Sequence, residues 1–215
     1  MTAPDQIVFI VDDDERICEA LSELLASYDI PALVFRSAGA YIAAEKPDAT
    51  ACLVLDVELP DINGLDLQSA IIQGDHPPIV FITGYGDIPS SVRAIKHGAV
   101  DFLTKPFSDE AVMSAIRASF AQDRTRRVDR SELAVLKQRY QSLTPRERDV
   151  LPLVVGGLLN KQAAAELGIS EVTLQIHRRN VMQKMAAASL ADLVRASERL
   201  AIPITRSRRT GGDRS

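Results

Sequence analysis

The sequence predicts an α/β domain, a doubly wound five-stranded parallel sheet, followed by an all-α domain of four helices. Three observations predict it. Five short apolar runs alternate with helical patterns over roughly the first 120 residues. Charge divides along the chain: residues 1–124 hold 8 Lys/Arg against 20 Asp/Glu, a balance of −12, whereas residues 125–215 hold 17 against 9, a balance of +8. Caps and turn glycines then punctuate the basic half at helix-length intervals.

The apolar runs are "QIVFIV" (6–11), "ALVF" (32–35), "ACLVL" (51–55), "PIVFIT" (78–83) and "VDFLT" (100–104). They are rich in β-branched and aromatic residues at consecutive positions, the pattern of strands covered on both faces. Between the first two, Ile17, Leu21, Leu24, Leu25 and Tyr28 form one helical apolar stripe. Ser37 and Ser108 are N-caps, and Gly98 is the C′ residue of a helix ending at His97. Cys18 and Cys52 lack C-x-x-C spacing, which argues against a disulfide framework and for a reducing cytoplasm; Cys52 is expected as a small buried hydrophobe. The acidic first residues lack the basic start of a signal peptide, and no apolar run approaches the ~20 residues of a membrane span.

In doubly wound sheets, sites form beyond the carboxyl ends of the strands. Asp12, Asp13 and Asp14 follow the first run, Asp56 the third, Thr83 closes the fourth and Lys105 follows the fifth. Two carboxylates about 4 Å apart repel by roughly 4 kcal/mol at an effective dielectric near 20, so solvent, a base or a metal must cancel the cluster. Three converging carboxylates suit a hard cation, Mg²⁺ most naturally, and a carboxylate beside Mg²⁺ and a lysine can attack phosphorus. Asp14 is expected as a solvated loop residue, Asp61 and Asp66 as turn and helix-surface residues, His76 and His97 as surface groups.

"VFIVDDDERICEAL", "LVLDVELPDINGLDL" and "PPIVFITGYGDIPSSVRAIKHGAVDFLTKPF" resemble the receiver domain of two-component response regulators, a flavodoxin-like fold, over roughly residues 5–122. The resemblance implies Asp56 as phosphoacceptor and Asp12 and Asp13 as the acidic pair. Asp13, Asp56 and the backbone carbonyl of Glu58 are implied as direct Mg²⁺ ligands. Thr83 and Lys105 are implied to bind the phosphoryl oxygens, and Phe102 to be the aromatic switch. Lys105-Pro106 is implied to be a turn with a cis peptide bond. The side chains of Glu58 and Tyr85 occupy positions that modulate dephosphorylation in the family. Physically, a phosphoryl group adds about −1.5 to −2 charge; drawing Thr83 and Lys105 toward it opens space for the Phe102 ring.

From Ala121 to Tyr140 the chain is charged and free of Pro and Gly, and Leu133, Leu136, Tyr140 and Leu143 form a short heptad-like seam. Residues 123–140 are expected as a linker helix that helps dimer contacts. Thr144-Pro145-Arg146-Glu147 is a capping box, and Gly156-Gly157 stops the helix it starts. A second helix over 160–167, Gly168, a cap at Ser170 and a third helix over about 171–185 follow; Ala164, Gly168 and Leu174 have helix-turn-helix spacing. Leu174, Val181 and Met185 form the inner stripe of the third helix, and Gln175, Arg178, Arg179 and Gln183 point outward. Ser189 caps a fourth helix carrying Leu193, Val194 and Leu200.

"LTPRERDVL", "NKQAAAELGIS" and "TLQIHRRNVMQKM" resemble the LuxR-type DNA-binding domain, so the whole is similar to response regulators of the NarL/FixJ subfamily. The implied boundaries are a receiver over 1–122, the linker helix over 123–140, the DNA-binding domain over 141–203 and a basic disordered tail over 204–215. Gln175, Ile176 and Arg179 are implied to face the major groove; Lys161, Thr173 and Arg178 are implied to meet phosphates. His177 is expected to be packed and hydrogen-bonded. Gln175 replaces a common basic residue, and Gln pairs with adenine where Arg or Lys favours guanine. The expected function is a phosphorylation-activated transcriptional regulator, with no enzymatic activity beyond its own phosphoryl transfer and dephosphorylation. Its expected partners are a sensor histidine kinase, double-stranded DNA, a second copy of itself and RNA polymerase, with no membrane. An aspartyl phosphohydrolase competes weakly, since Asp56-Val57-Glu58 lacks the second Asp of Asp-x-Asp. A closer rival is a receiver that signals without phosphate.

Overall fold

A computed structural model describes residues 5–72, 74, 76–84, 88–203 and 205. The expected role of Tyr85 lies outside these residues, as does the expected tail apart from Thr205, whose N–H donates to the Pro152 carbonyl (3.3 Å). The described residues divide into two compact units, meeting at Arg127 and Val128.

In the first unit the elements run β1 (Gln6–Val11), α1 (Glu15–Ser27), β2 (Ala32–Phe35), α2 (Ala38–Ala43), β3 (Thr50–Asp56), α3 (Gly64–Ile71), β4 (Ile79–Thr83), α4 (Ile88–Lys96), β5 (Asp101–Thr104) and α5 (Asp109–Gln141). The strands pair in parallel in the order β2-β1-β3-β4-β5, so the chain runs out to one edge and then back across the sheet. Strand alternation feeds two cores. Ile7, Phe9 and Val11 pack with Tyr41, Leu67, Phe81 and Ala94 on the face covered by α2, α3 and α4; Val8 and Ile10 pack with Leu21, Leu25, Ile116 and Phe120 on the face of α1 and α5.

Consecutive burial holds for β1, β3 and β4 but not for the two edge strands: Leu33 and Val34 of β2 are exposed, and no residue of β5 is fully buried. Ser37 caps α2, Ser108 accepts from the Ala111 N–H, and Gly98 takes the left-handed conformation (φ 89°). The apolar stripe of α1 stops short of its expected end: Asp29 (φ 56°) turns the chain, Tyr28 is left half-exposed, and Cys18 joins Leu21 and Leu25 in the core. Cys52 is fully buried, and burial pushes its thiol up to about 12. Among the described residues no helix is long and apolar enough to cross a membrane.

The expected linker helix is not a separate element. It continues the last helix of the first unit, giving α5 33 residues. A contact that sequence spacing does not show anchors α5 within the first unit: the buried Asp123 carboxylate accepts from the Ala51 N–H at the start of β3 (2.9 Å) and from Arg127 Nε (2.8 Å).

The second unit holds the end of α5, α6 (Pro145–Val155), α7 (Asn160–Leu167), α8 (Glu171–Lys184) and α9 (Leu190–Arg199). Leu136 and Tyr140 pack against a core of Leu143, Leu151, Leu174, Val181, Met185 and Leu193. Gly168 ends α7 at φ 65°, Ala164 is buried beside the turn, and Ser170 and Ser189 cap α8 and α9. Thr144 and Glu147 form the expected capping box. Glu147 also does something the box does not require: its buried carboxylate accepts from Lys184 Nζ at the end of α8 (2.7 Å).

Burial works against ionised Glu147, but the bonds from Lys184 and the Thr144 N–H outweigh it and hold the carboxyl below its ordinary value. Its stabilisation is therefore present above the unfolded pKa and is lost as pH falls through the lower folded value. Glu147→Gln keeps the box but loses the charge, so it is expected to lower stability by about 1–2 kcal/mol at pH 7. The gap between the two proteins in urea unfolding should narrow steadily as pH is lowered through and below the ordinary carboxylate range; a gap that does not narrow would contradict the ionic origin.

Candidate functional site

Parallel strands with crossovers on both faces bring the carboxyl ends of β1, β3 and β4 to one edge, with the turn after β5 beside them. There stand Asp12 and Asp56, both buried, Asp13, exposed, and Thr83, buried at the end of β4. Carboxylate oxygens of Asp12, Asp13 and Asp56 all lie within 4.8 Å of one another. Lys105 Nζ donates to Asp12 Oδ2 and to Asp56 Oδ2, at 2.7 Å each. The remaining oxygens are held by backbone: Asp12 Oδ1 accepts from the Asp14 N–H (2.8 Å) and Asp56 Oδ1 from the Glu58 N–H (3.1 Å). The Lys105–Pro106 peptide is cis.

Burial, followed by the neighbouring Asp56 charge, raises the Asp12 carboxyl above its ordinary value; the bonds from Lys105 and the Asp14 N–H oppose this. For Lys105 burial works downward, but its bonds to Asp12 and Asp56 win and raise the ammonium. The ammonium thus cancels the repulsion that the sequence creates. Phe102 is half-buried, its ring 6.1 Å from Phe81 at 42°.

Asp61 and Asp66 lie in the turn and on the helix surface as expected, and the acidic residues around the site have these partners. Asp14 is the N-cap of α1 rather than a plain loop residue: its side chain accepts from the Arg16 N–H (3.0 Å). Asp61 reaches across 22 residues to accept from the Gly39 N–H (2.8 Å) and also bonds the Ala38 N–H, which holds its carboxyl low. Asp66 pairs with Arg93 on the helix surface (2.9 Å).

In the second unit, Val172, Gln175, Ile176 and Arg179 share the exposed face of α8, and Lys161 is exposed on α7. Thr173 is half-buried and its hydroxyl pairs with Ser170 Oγ (2.8 Å). Arg178 departs from the expected outward position: its guanidinium donates to Asn160 Oδ1 at the start of α7 (3.0 Å). The reach between α7 and α8, created by the tight turn at Gly168, is what redirects it. His177 is half-buried as expected, but its Nδ1 has no hydrogen-bond partner among the described residues. Sequence reasoning missed Val172, although its spacing of four from Ile176 was visible.

An acidic cluster with a bridging lysine at the strand ends, joined in one chain to a helix-turn-helix unit, defines a phosphoacceptor domain coupled to a DNA-binding domain. The comparisons agree. Residues 8–117 match the response regulator receiver domain, and residues 141–197 match the luxR family of bacterial regulatory proteins. Nodulation protein W of Bradyrhizobium diazoefficiens is 48% identical over 205 residues, covering 95% of this chain and 90% of that one. The transcriptional regulatory protein FixJ of Rhizobium meliloti is 39% identical over 194 residues (89% and 94%). Among solved structures, the response regulator StyR superposes with a TM-score of 0.76 at 44% identity, covering 91% of this chain and 99% of that one. Full-length FixJ from B. japonicum gives 0.53 at 35% (94% and 99%). The chain belongs to the response regulators, in the NarL/FixJ subfamily: a receiver domain joined to a LuxR-type DNA-binding domain that regulates transcription. A receiver implies a sensor kinase as partner, and receivers bind Mg²⁺ at an Asp cluster of the kind seen here.

Proposed function

We propose that Asp56 accepts a phosphoryl group from a sensor histidine kinase, and that this shifts the protein toward a DNA-binding dimer. The observation that carries the reading is Lys105 Nζ at 2.7 Å from both Asp12 and Asp56. The bond forms between an Asp56 carboxylate oxygen and phosphorus while the bond from phosphorus to the donor breaks. Lys105 then moves its charge from the two carboxylates to the phosphoryl oxygens, and the Thr83 hydroxyl donates to a second oxygen.

The oxygen donors of Asp12, Asp13 and Asp56 fit Mg²⁺, a hard cation. These side chains and the Glu58 carbonyl would hold it. When bound, it supplies positive charge against that of the phosphoryl oxygens. Withdrawal of Thr83 toward the phosphoryl group leaves room for the Phe102 ring to turn inward. The α4–β5 face is the surface expected to respond. Ile88, Val92 and Ile95 lie there at i, i+4 and i+7, 80%, 45% and 48% exposed, an apolar stripe suited to a second copy.

Dimerisation places two α8 helices on a two-fold-related DNA site. Gln175, Ile176 and Arg179 face the bases. Lys161 and Thr173 meet phosphates, while Arg178 acts in part through Asn160. The bound dimer is then positioned to contact RNA polymerase. The only chemistry in this cycle is phosphorylation and dephosphorylation of Asp56.

Wild type and Asp56→Asn incubated with acetyl phosphate and Mg²⁺ test the reading by intact mass and sedimentation. A labile phosphoryl adduct and a monomer-to-dimer shift, both absent in Asp56→Asn, are expected. No adduct, even with candidate kinases supplied, would favour signalling without phosphate.

A further inference from the structure

We propose that Val172 is a further specificity-determining residue: with Ile176 it reads thymine 5-methyl groups in the operator. This rests on the reading of α8 as the helix that enters the major groove.

Val172, Gln175, Ile176 and Arg179 stand at i, i+3, i+4 and i+7, so they form one face of α8, opposite the fully buried Leu174 and Val181. Val172 is 68% exposed and Ile176 55%. A single exposed apolar side chain means little. Here two β-branched side chains, stiff at χ1, lie one turn apart on the same face as Gln175 and Arg179. Val172 is the second residue of α8, and the first residues of such a helix are those that reach base edges. Two nearby polar groups are already engaged, Arg178 with Asn160 and the Thr173 hydroxyl with Ser170.

The chemistry then selects the base. In the major groove only thymine presents a methyl group, while the other edges present donors and acceptors. Valine and isoleucine offer neither, so against any other edge they would strip water from a polar group without replacing it. The exposed face therefore reads a half-site containing thymine at two positions, with Gln175 suited to an adenine.

Sites selected by the phosphorylated full-length protein from a random duplex pool test this. Each thymine is then replaced by deoxyuridine, which removes only the methyl group. We expect two half-site thymines at which deoxyuridine weakens binding about 3- to 5-fold, the effect of one methyl-sized group leaving an apolar contact. In Val172→Ala the penalty at one of them disappears and the other remains; Ile176→Ala shows the reverse. A half-site without thymine, or both penalties retained in Val172→Ala, would overturn the inference. Selection of no sequence at all would overturn the assignment of α8 itself, and the inference with it.

Discussion

Lys105→Met is expected to destabilise the receiver domain by about 3–5 kcal/mol at pH 7 without divalent cations, the usual cost of removing one partner from a buried ion pair. The size follows from the geometry. Lys105 is bonded to two carboxylates at once, and the Asp12 and Asp56 side chains are only 0% and 7% exposed. Removing the ammonium leaves two buried like charges with little solvent to screen them.

Two rescues separate this cause from lost packing. Mg²⁺ should restore stability more in Lys105→Met than in wild type, because it meets the same oxygens without a competing ammonium. Asp12→Asn added to Lys105→Met should recover much of the loss by removing one of the charges. The deficit should also shrink in acid. Burial and the Asp56 charge already raise the Asp12 carboxyl in the wild type, so in the variant a proton on Asp12 relieves repulsion at a higher pH. Urea unfolding of the three proteins with and without Mg²⁺ decides it. Equal stability of Lys105→Met and wild type in metal-free buffer at pH 7 would remove the ammonium from its role as counter-charge.

How far such a site can be read from sequence depends on whether its partners lie where a periodic pattern ends. The strands were legible because residues buried on both faces must be continuously apolar, as in β1 and β3. The acidic cluster was legible because parallel topology collects the residues that follow such runs, so Asp12, Asp56, Thr83 and Lys105 could be named before their distances were known. Contacts set by tertiary reach were not. Asn160 has no sequence feature that marks it as the partner of Arg178, eighteen residues on, and only the turn at Gly168 brings α7 and α8 close enough. Asp61 looks like any turn aspartate until α2 starts beside it. The unbroken α5 is an intermediate case. The absence of Pro and Gly from 121 to 140 was visible, but the anchoring of Asp123 to the start of β3 was not.

The main chain of Asp56, the proposed phosphoacceptor, carries a constraint of the same hidden kind, and it leads to the second large effect: Gly64→Ala is expected to lower the rate of phosphorylation by acetyl phosphate at least about tenfold while costing roughly 2–3 kcal/mol of stability. Gly64 is ordinary in sequence, following the Asn63 cap at the first position of α3. Its N–H donates to the Val57 carbonyl (2.8 Å), which draws the helix start onto the end of β3. A Cβ there would lie 2.3 Å from the Asp56 backbone oxygen and 3.1 Å from Val57 Cα. Both are backbone atoms, so no side chain can swing away; either α3 backs off or the end of β3 shifts and takes the Asp56 carboxylate with it. The chemistry needs that carboxylate aligned with Lys105 and the incoming phosphorus, so a displacement of a few tenths of an ångström costs rate beyond what it costs in folding. Gly39→Ala supplies the comparison. Its Cβ would meet only the carboxylate tip of Asp61, at 3.3 Å, a group able to give way, and Asp56 should phosphorylate at close to the wild-type rate. Intact-mass time courses and thermal unfolding of both variants measure the two quantities separately. Wild-type phosphorylation kinetics in Gly64→Ala would show that the end of β3 absorbs a methyl group without moving its carboxylate.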